Sequence, residues 1–313
     1  MLAVGIQITR YQMSKINIGG QAVLEGVMMR APRSLAIAVR RPDGVISVKS
    51  EMVIPLSERF PIVKLPIVRG AVALFSSLII GIQALNFSAN EALAEGEEKE
   101  ELSNWAMGGT MAAAFGFGIL LFFIMPLYLT NLLKPVIGDS NIIFNLVDGA
   151  IRVAVFLLYI IGISRMSDIQ RVFQYHGAEH KSIFTFEAGE ELIVENVRKY
   201  SCLHPRCGTS FLLIVMLVSI LIFSLIPKLW PFYLKGGARI FLLPVIAGVS
   251  YEILKWTAKH DGHALVKLVI SPGLALQRLT TREPDDSQIE VAIRSMQVAL
   301  ELNDGYKDDR LVV

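Results

Sequence analysis

Apolar residues run almost unbroken through 105–130, 146–163, 211–230 and 239–256. Each run is close to the roughly twenty residues a helix needs to cross a hydrocarbon core. Trp105, Trp230, Tyr233 and Trp256 stand at or near run ends, where interfacial aromatics belong, and Pro126 and Pro244 fall inside, where neighbouring helices can accommodate them. A fifth run, 66–85, is interrupted by Arg69, Ser76, Ser77 and Gln83, which predicts an interfacial or re-entrant helix. The period changes on either side of these runs. Within 16–65, LAIAVRR and VISVKSEMVIP flank Pro42-Asp43-Gly44, a hairpin signal. Near the C-terminus Ile289, Ala292, Ile293, Met296 and Leu300 recur at helical spacing, with Ser287 or Asp286 as the predicted cap and a stop near Gly305. The expected fold is an α-helical multi-pass membrane protein with four strong spans, one weaker helix and a small β-containing N-terminal cytoplasmic unit. Its expected divisions are the β unit at 1–65, the weaker helix and an acidic linker at 66–104, a membrane domain at 105–263 with a His/Cys loop at 165–210, and a helical tail at 264–313.

Composition agrees with a membrane location: 53% of the 313 residues are hydrophobic, and mean hydropathy is +0.52. A net charge of +2, with no basic block interleaved with aromatics, argues against a nucleic-acid partner. Two cysteines five residues apart do not make a secreted disulfide framework and read as reduced thiols. Polar residues interrupt the first twenty positions, so no cleaved signal is expected. Arg30, Arg33, Arg40, Arg41, Arg59, Lys64 and Arg69 precede the strong spans, and Arg165, Arg171, Lys181, Arg198, Lys199 and Arg206 lie between the second and third. Lys and Arg in short flanking loops set orientation, so both regions, and with them both termini, are expected on the cytoplasmic side.

All five histidines fall in the second half of the chain, and three motifs carry candidate chemistry. In His176-Gly177-Ala178-Glu179-His180, a helix would put both imidazoles on one face toward a single ion, with Glu179 as base for a bound water. Gly177 is not a helix-favouring residue, so the pentapeptide taken alone is a weak match. Glu187, Glu190, Glu191, His204, Cys207, Glu252, His260, Asp261 and His263 are all open as further ligands. In Cys202-Leu203-His204-Pro205-Arg206-Cys207-Gly208, His204 and Cys207 could ligate across a tight turn. A closed structural zinc knuckle of Cys202, His204 and Cys207 plus one more ligand is the alternative there. In His260-Asp261-Gly262-His263, the carboxylate could orient an imidazole, while a lone motif of this kind is equally a solvated helix end. The span count predicts that all three motifs meet at one membrane surface. Lys181 and Arg206 could hold an anionic group or serve only as cytoplasmic anchors. Glu25, acidic among apolar neighbours, is a supporting candidate, and Gly19-Gly20 would permit close backbone approach.

IGGQAVLEGVMMR at 18–30, YHGAEHK at 175–181, HPRCGTSF at 204–211 and KHDGH at 259–263 together resemble the bacterial YqhQ-like membrane proteins. That is a family of unknown function described as predicted metal-dependent enzymes. The resemblance covers nearly the whole chain and implies a bacterial cell-membrane protein with a metal centre. From the residues, the expected function is a membrane-embedded metal-dependent hydrolase using a divalent ion such as zinc, with Glu179 as base and a lipid-like or membrane-peptide substrate. A non-enzymatic scaffold stapled by structural zinc is the alternative. A third class, metal-ion transport, calls for ionisable residues inside the spans, where Asp148, Arg152 and Glu252 are the candidates.

Overall fold

A computed structural model describes residues 16–93, 104–138, 140–227, 229–260 and 263–308. The acidic linker at 95–101, the first fifteen positions and Asp261 fall outside these residues.

Four antiparallel strands, β1 (Gly19–Val23), β2 (Gly26–Arg30), β3 (Ser34–Arg40) and β4 (Ile46–Met52), form a meander in sequence order. The predicted hairpin joins β3 to β4, with Arg40 opposite Ile46 and Gly44 at φ 84°. Alternation along the strands gives the sheet two buried faces. Val27, Met29, Ala36 and Ala38 face one way, while Val23, Met28, Leu35, Ile37 and Val39 face the other. The first face packs against α5 (Ser167–Glu187) and α9 (Asp286–Asp308), and the second against α1 (Val68–Ala92) through Ile80, Ala84 and Phe87. Burying a side chain such as Leu35 or Met29 contributes about 1.5–3 kcal/mol, so the sheet is held from both sides.

The sheet therefore does not form a unit of its own, because the C-terminal helix completes its core. Ser34 Oγ donates to Ala299 O at 2.5 Å, and Ser295 Oγ donates to Ala36 O at 3.0 Å. The predicted α9 stripe of Ile289, Ala292, Ile293, Met296 and Leu300 is buried throughout. Its cap is Asp285 rather than Ser287 or Asp286: Asp285 Oδ1 accepts the Gln288 N–H at 3.0 Å, and the helix continues past Gly305 to Asp308.

Between sheet and tail lie the apolar helices. α2 (Asn104–Ile119) continues through a π-helical turn, Leu120–Ile124, into α3 (Met125–Leu132). The turn falls where Pro126 cannot sit against a regular preceding helical turn. Then come α4 (Asn141–Ile163), α5, α6 (Gly208–Phe223), α7 (Phe232–Lys259) and α8 (Ala264–Thr280). Among the described residues, four stretches are long and apolar enough to cross a membrane: Val68–Ala92, Gly108–Leu132, Asn141–Ile163 and Tyr233–Thr257.

Two of the predicted spans change standing. The segment beginning near residue 66, expected to be weak, forms a 25-residue apolar helix. The segment 211–230, expected to be strong, is helical only to Phe223, and 16 residues at 1.5 Å each reach about 24 Å. α1 and α7 meet through Gly70 and Gly248, where an added Cβ would come within 2.6 Å of Tyr251 and 2.4 Å of Ile67 respectively. Arg69 donates to both carboxylate oxygens of Glu252 across that contact, the Nε bond at 2.6 Å.

A candidate metal centre

The centre is built on α5, whose lower half lies against the sheet. Gly177 sits inside this helix for a steric reason: a Cβ there would stand 2.1 Å from the Arg282 carbonyl oxygen. The chain leaving α8 thus crosses directly over the helix between His176 and His180.

That crossing fixes the imidazoles. His176 Nδ1 lies 2.8 Å from Thr280 O, and His180 Nδ1 lies 2.5 Å from Cys202 O. A carbonyl oxygen can only accept, so each Nδ1 carries the proton and each Nε2 presents a lone pair. His176 Nε2 is 3.2 Å from Cys207 Sγ, and His180 Nε2 is buried with no hydrogen-bond partner among the described residues. Ligand atoms of His176, His180 and Cys207 all lie within 4.8 Å of one another. Burial holds His180 below its ordinary pKa and so keeps it neutral. Cys207 is the N-cap of α6, where its Sγ accepts from the Thr209 N–H at 3.4 Å. Two imidazoles whose Nδ1 atoms are hydrogen-bonded to backbone carbonyls and a capping sulfur are a donor set that fits a zinc-like ion.

Glu179 lies in the wall of the same cavity as His176 and Cys207. Burial raises its carboxyl to about 7, against the opposing pull of His176 and of the Gly20 backbone N–H that bonds it. A Cβ on Gly20 would fall 2.9 Å from Glu179 Cδ and 2.8 Å from Met28 O. The close approach that Gly19-Gly20 permits is thus made by Gly20, toward Glu179. The cavity, about 600 Å³, is bounded mainly by apolar side chains of α1, α4, α6 and α7, among them Leu74, Ile160, Phe211 and Leu254.

The other predicted residues go elsewhere. His204 stands beside the centre, its ring 5.7 Å from that of His180. Its Nδ1 accepts the Arg206 N–H at 3.3 Å, which leaves the proton on Nε2, facing Glu187 Oε2 at 3.6 Å. It offers no lone pair toward the centre. Arg206 pairs with Glu187, whose carboxyl is held low by His204 and Arg206 in spite of its burial. Cys202 Sγ lies 3.1 Å from Glu283 Oε2, and its thiol is pushed up to about 12 by burial and that carboxylate. A knuckle of Cys202, His204 and Cys207 is therefore not assembled. Lys181 is 3% exposed, donates to Arg198 O at 3.0 Å and pairs with Glu283. Glu25, at φ 49° in the β1–β2 turn, pairs with Arg171 and accepts from Tyr175 Oη at 3.4 Å. These three tie elements together.

His260 and His263 do not join the centre. They are exposed at the α7–α8 connection, with His260 Nδ1 2.9 Å from Trp256 O. The expectation of a shared pocket fails because α8 intervenes. His263 precedes its first residue and Thr280 is its last, about 25 Å along the axis.

Sequence reasoning missed Thr280 and Gln277. Gln277 Oε1 accepts the His204 N–H at 2.8 Å, while its Nε2 donates to His204 O at 2.8 Å and Ser210 Oγ at 3.1 Å. It fixes the loop that delivers Cys207. Gly273 packs against Ser210 to bring α8 close, the one local sign of that contact in the sequence.

A mostly helical protein with a two-faced sheet and a close grouping of His176, His180 and Cys207 is what fold and site define. Residues 65–302 match the family described as a protein of unknown function (DUF1385), and the chain belongs to that family. It is 37% identical over 297 residues to the uncharacterized protein YqhQ of Bacillus subtilis (strain 168), a match spanning 91% of this chain and 92% of the relative. No solved structure matches.

Proposed function

We propose that this protein is a membrane-embedded, metal-dependent hydrolase acting on an amphiphilic, lipid-like substrate. One observation carries the reading. The Nε2 lone pairs of His176 and His180 and the Cys207 Sγ converge beside a buried, near-neutral Glu179, at the wall of an apolar cavity bounded by long apolar helices.

His176, His180 and Cys207 would hold the ion. When bound, a zinc-like ion supplies Lewis acidity and makes water more acidic at neutral pH. Glu179, with a pKa near the working pH, takes a proton from the attacking water and returns it to the leaving group. The Gly20 N–H holds its carboxylate in place. Leu74, Ile160, Phe211 and Leu254 exclude bulk water and receive the apolar part of the substrate. Arg165, Arg171, Arg198 and Arg206 lie around the end of the helices that carries the centre, which favours a cytoplasmic placement of the site. The separation of Cys202 from His176, His180 and Cys207 argues against a closed structural knuckle and so favours a catalytic over a structural ion.

The test is elemental analysis of the full chain purified in detergent, joined to complementation of a deletion strain. Wild type is expected to hold one ion per chain and His176→Ala to lose it. Glu179→Gln is expected to keep the ion and fail to complement. An ion-free wild type, or full complementation by Glu179→Gln, overturns the reading.

A further inference from the structure

A second polar cluster lies toward the opposite end of α4 from Ile160. Asp148 and Arg152, one turn apart on α4, and Arg239 on α7 have side chains 3%, 8% and 4% exposed. A single oxygen, Asp148 Oδ2, accepts from Arg152 Nη2 at 3.1 Å and from Arg239 Nη2 at 2.9 Å. Asp148 Oδ1 and both Nε atoms are buried with no hydrogen-bond partner among the described residues. Both guanidinium groups stand over Phe223, at 5.4 and 5.2 Å, and Arg152 also over Phe123 at 5.3 Å. A further basic group, Lys235, stands within electrostatic reach of Arg239, Lys134 and Asp148.

Two buried cations thus share one anion, in a part of the protein whose helices are apolar. A clamp between α4 and α7 needs only one arginine for Asp148. The second leaves a net positive charge whose desolvation is costly, and contacts with the aromatic rings offset that cost only in part. Such a site repels metal ions, which removes this cluster from any cation pathway, and it attracts anions. Arg152 also lines a cavity of about 300 Å³ whose other walls are apolar except for Ser219, and include Phe122, Phe156, Leu212, Met216 and Ile246. An occupant that meets both features has an anionic head and an apolar body.

We propose that this cavity binds an anionic amphiphile, its carboxylate or phosphate head seated on Arg152 with Arg239 behind it and its chain among the phenylalanines. The site is separate from the metal centre and does not rest on the proposed hydrolase activity. Ionisable groups at membrane depth commonly mark functional sites, and here the pairing fixes the sign of the ligand.

The probes are decanoate, didecanoyl phosphatidylglycerol, uncharged decanol and inorganic phosphate, titrated into the full chain in neutral detergent while thermal unfolding is followed. At least one of the two anionic amphiphiles is expected to raise Tm, and decanol and phosphate are not. Which one acts separates a carboxylate head from a lipid phosphodiester. Arg152→Gln should bind at least about tenfold more weakly, as for the loss of one charged partner at a buried site. Asp148→Asn should bind as tightly as wild type or more tightly, whereas a pure clamp predicts only lost stability. Phe156→Trp, which fills the cavity and keeps every charge, should abolish the shift even if Arg152→Gln does not fold. Equal shifts with decanol and the anions, or undiminished binding in Phe156→Trp, would overturn the proposal.

Discussion

His176 and Thr280, 104 residues apart in sequence, are joined by a hydrogen bond of 2.8 Å from the imidazole Nδ1–H to the backbone carbonyl oxygen. The bond places the end of α8 against α5 and turns the other ring nitrogen, as a free base, toward Cys207 Sγ 3.2 Å away. One contact thus fixes both a tertiary junction and a tautomer. His180 repeats the arrangement with Cys202 O. Loading the metal-free full chain with Co²⁺ should give a thiolate charge-transfer absorption that Cys207→Ser abolishes and Cys202→Ser leaves in place. Partners that orient metal-binding histidines are worth roughly 10–100-fold in affinity, and first-sphere ligands more, so His176→Ala should weaken Co²⁺ by at least about 100-fold. A band that persists in Cys207→Ser would remove the thiol from the centre.

Gly177 tests the junction without touching a ligand. Its absent side chain admits the Arg282 carbonyl, and a Cβ at 2.1 Å from that oxygen forces backbone to move. In an exposed helix Gly→Ala would stabilise by about 1 kcal/mol. Here overpacking should reverse the sign, with Gly177→Ala destabilising by roughly 1–3 kcal/mol and lowering Tm. It should also weaken Co²⁺ binding, because the displaced strand carries Thr280. Gly189→Ala, at φ 72° with open space around it, should lose stability through backbone strain while Co²⁺ affinity stays unchanged. If Gly177→Ala is as stable as wild type, the crossing is not as close as described.

Glu179 gives the metal-free protein a pH dependence whose sign follows from its raised carboxyl. Between the ordinary carboxyl value of 4.5 and about 7 the folded chain keeps a proton that the unfolded chain has released. Its stability therefore falls as pH rises through that window and levels off above it. Glu179→Gln removes the titrating group and keeps an acceptor for the Gly20 N–H. The variant should gain on wild type from pH 5 to 8, by on the order of 3 kcal/mol at the upper end. Denaturant unfolding of both proteins at a series of pH values measures the difference. Parallel curves would place the Glu179 carboxyl in water rather than in the cavity wall.

The sequence carried the periodic features well and the long-range ones poorly. Asp43-Gly44 between two β-rich runs marked the hairpin, and period-3.6 spacing marked the buried stripe of α9, because each is set by residues a few positions apart. His176, Glu179 and His180 were legible for the same reason, sharing one helical face. Cys207 was among several possible ligands, since nothing within its own motif separates it from His204. What separates them is the direction of two hydrogen bonds, one from the Arg206 N–H to His204 and one from the Thr209 N–H to Cys207. His260 and His263 read as ligands because span counting fixes a side of the membrane but no distance along it. α1 read as weak because Arg69, Ser76, Ser77 and Gln83 interrupt it, and nothing local in the sequence shows that Arg69 is paired with Glu252 of α7.

The C-terminal histidines supply the cleanest separation of the centre from its surroundings. His260 and His263 have rings 6.2 Å apart, are exposed and lie at the far end of α8 from Thr280. A purified protein with surface histidines can pick up metal adventitiously, and this pair is the obvious place for it. The double variant His260→Ala, His263→Ala should keep the ion that survives dialysis against a weak chelator and should keep the Co²⁺ thiolate band, with only loosely bound metal lost. Its stability should change by no more than about 0.5 kcal/mol, as for surface sites away from structural features. The same dialysis should strip His180→Ala completely, because that variant removes a buried ligand and leaves the Cys202 carbonyl without its donor. Loss of the retained ion from the double variant, with His180→Ala still loaded, would move the centre to the other end of α8.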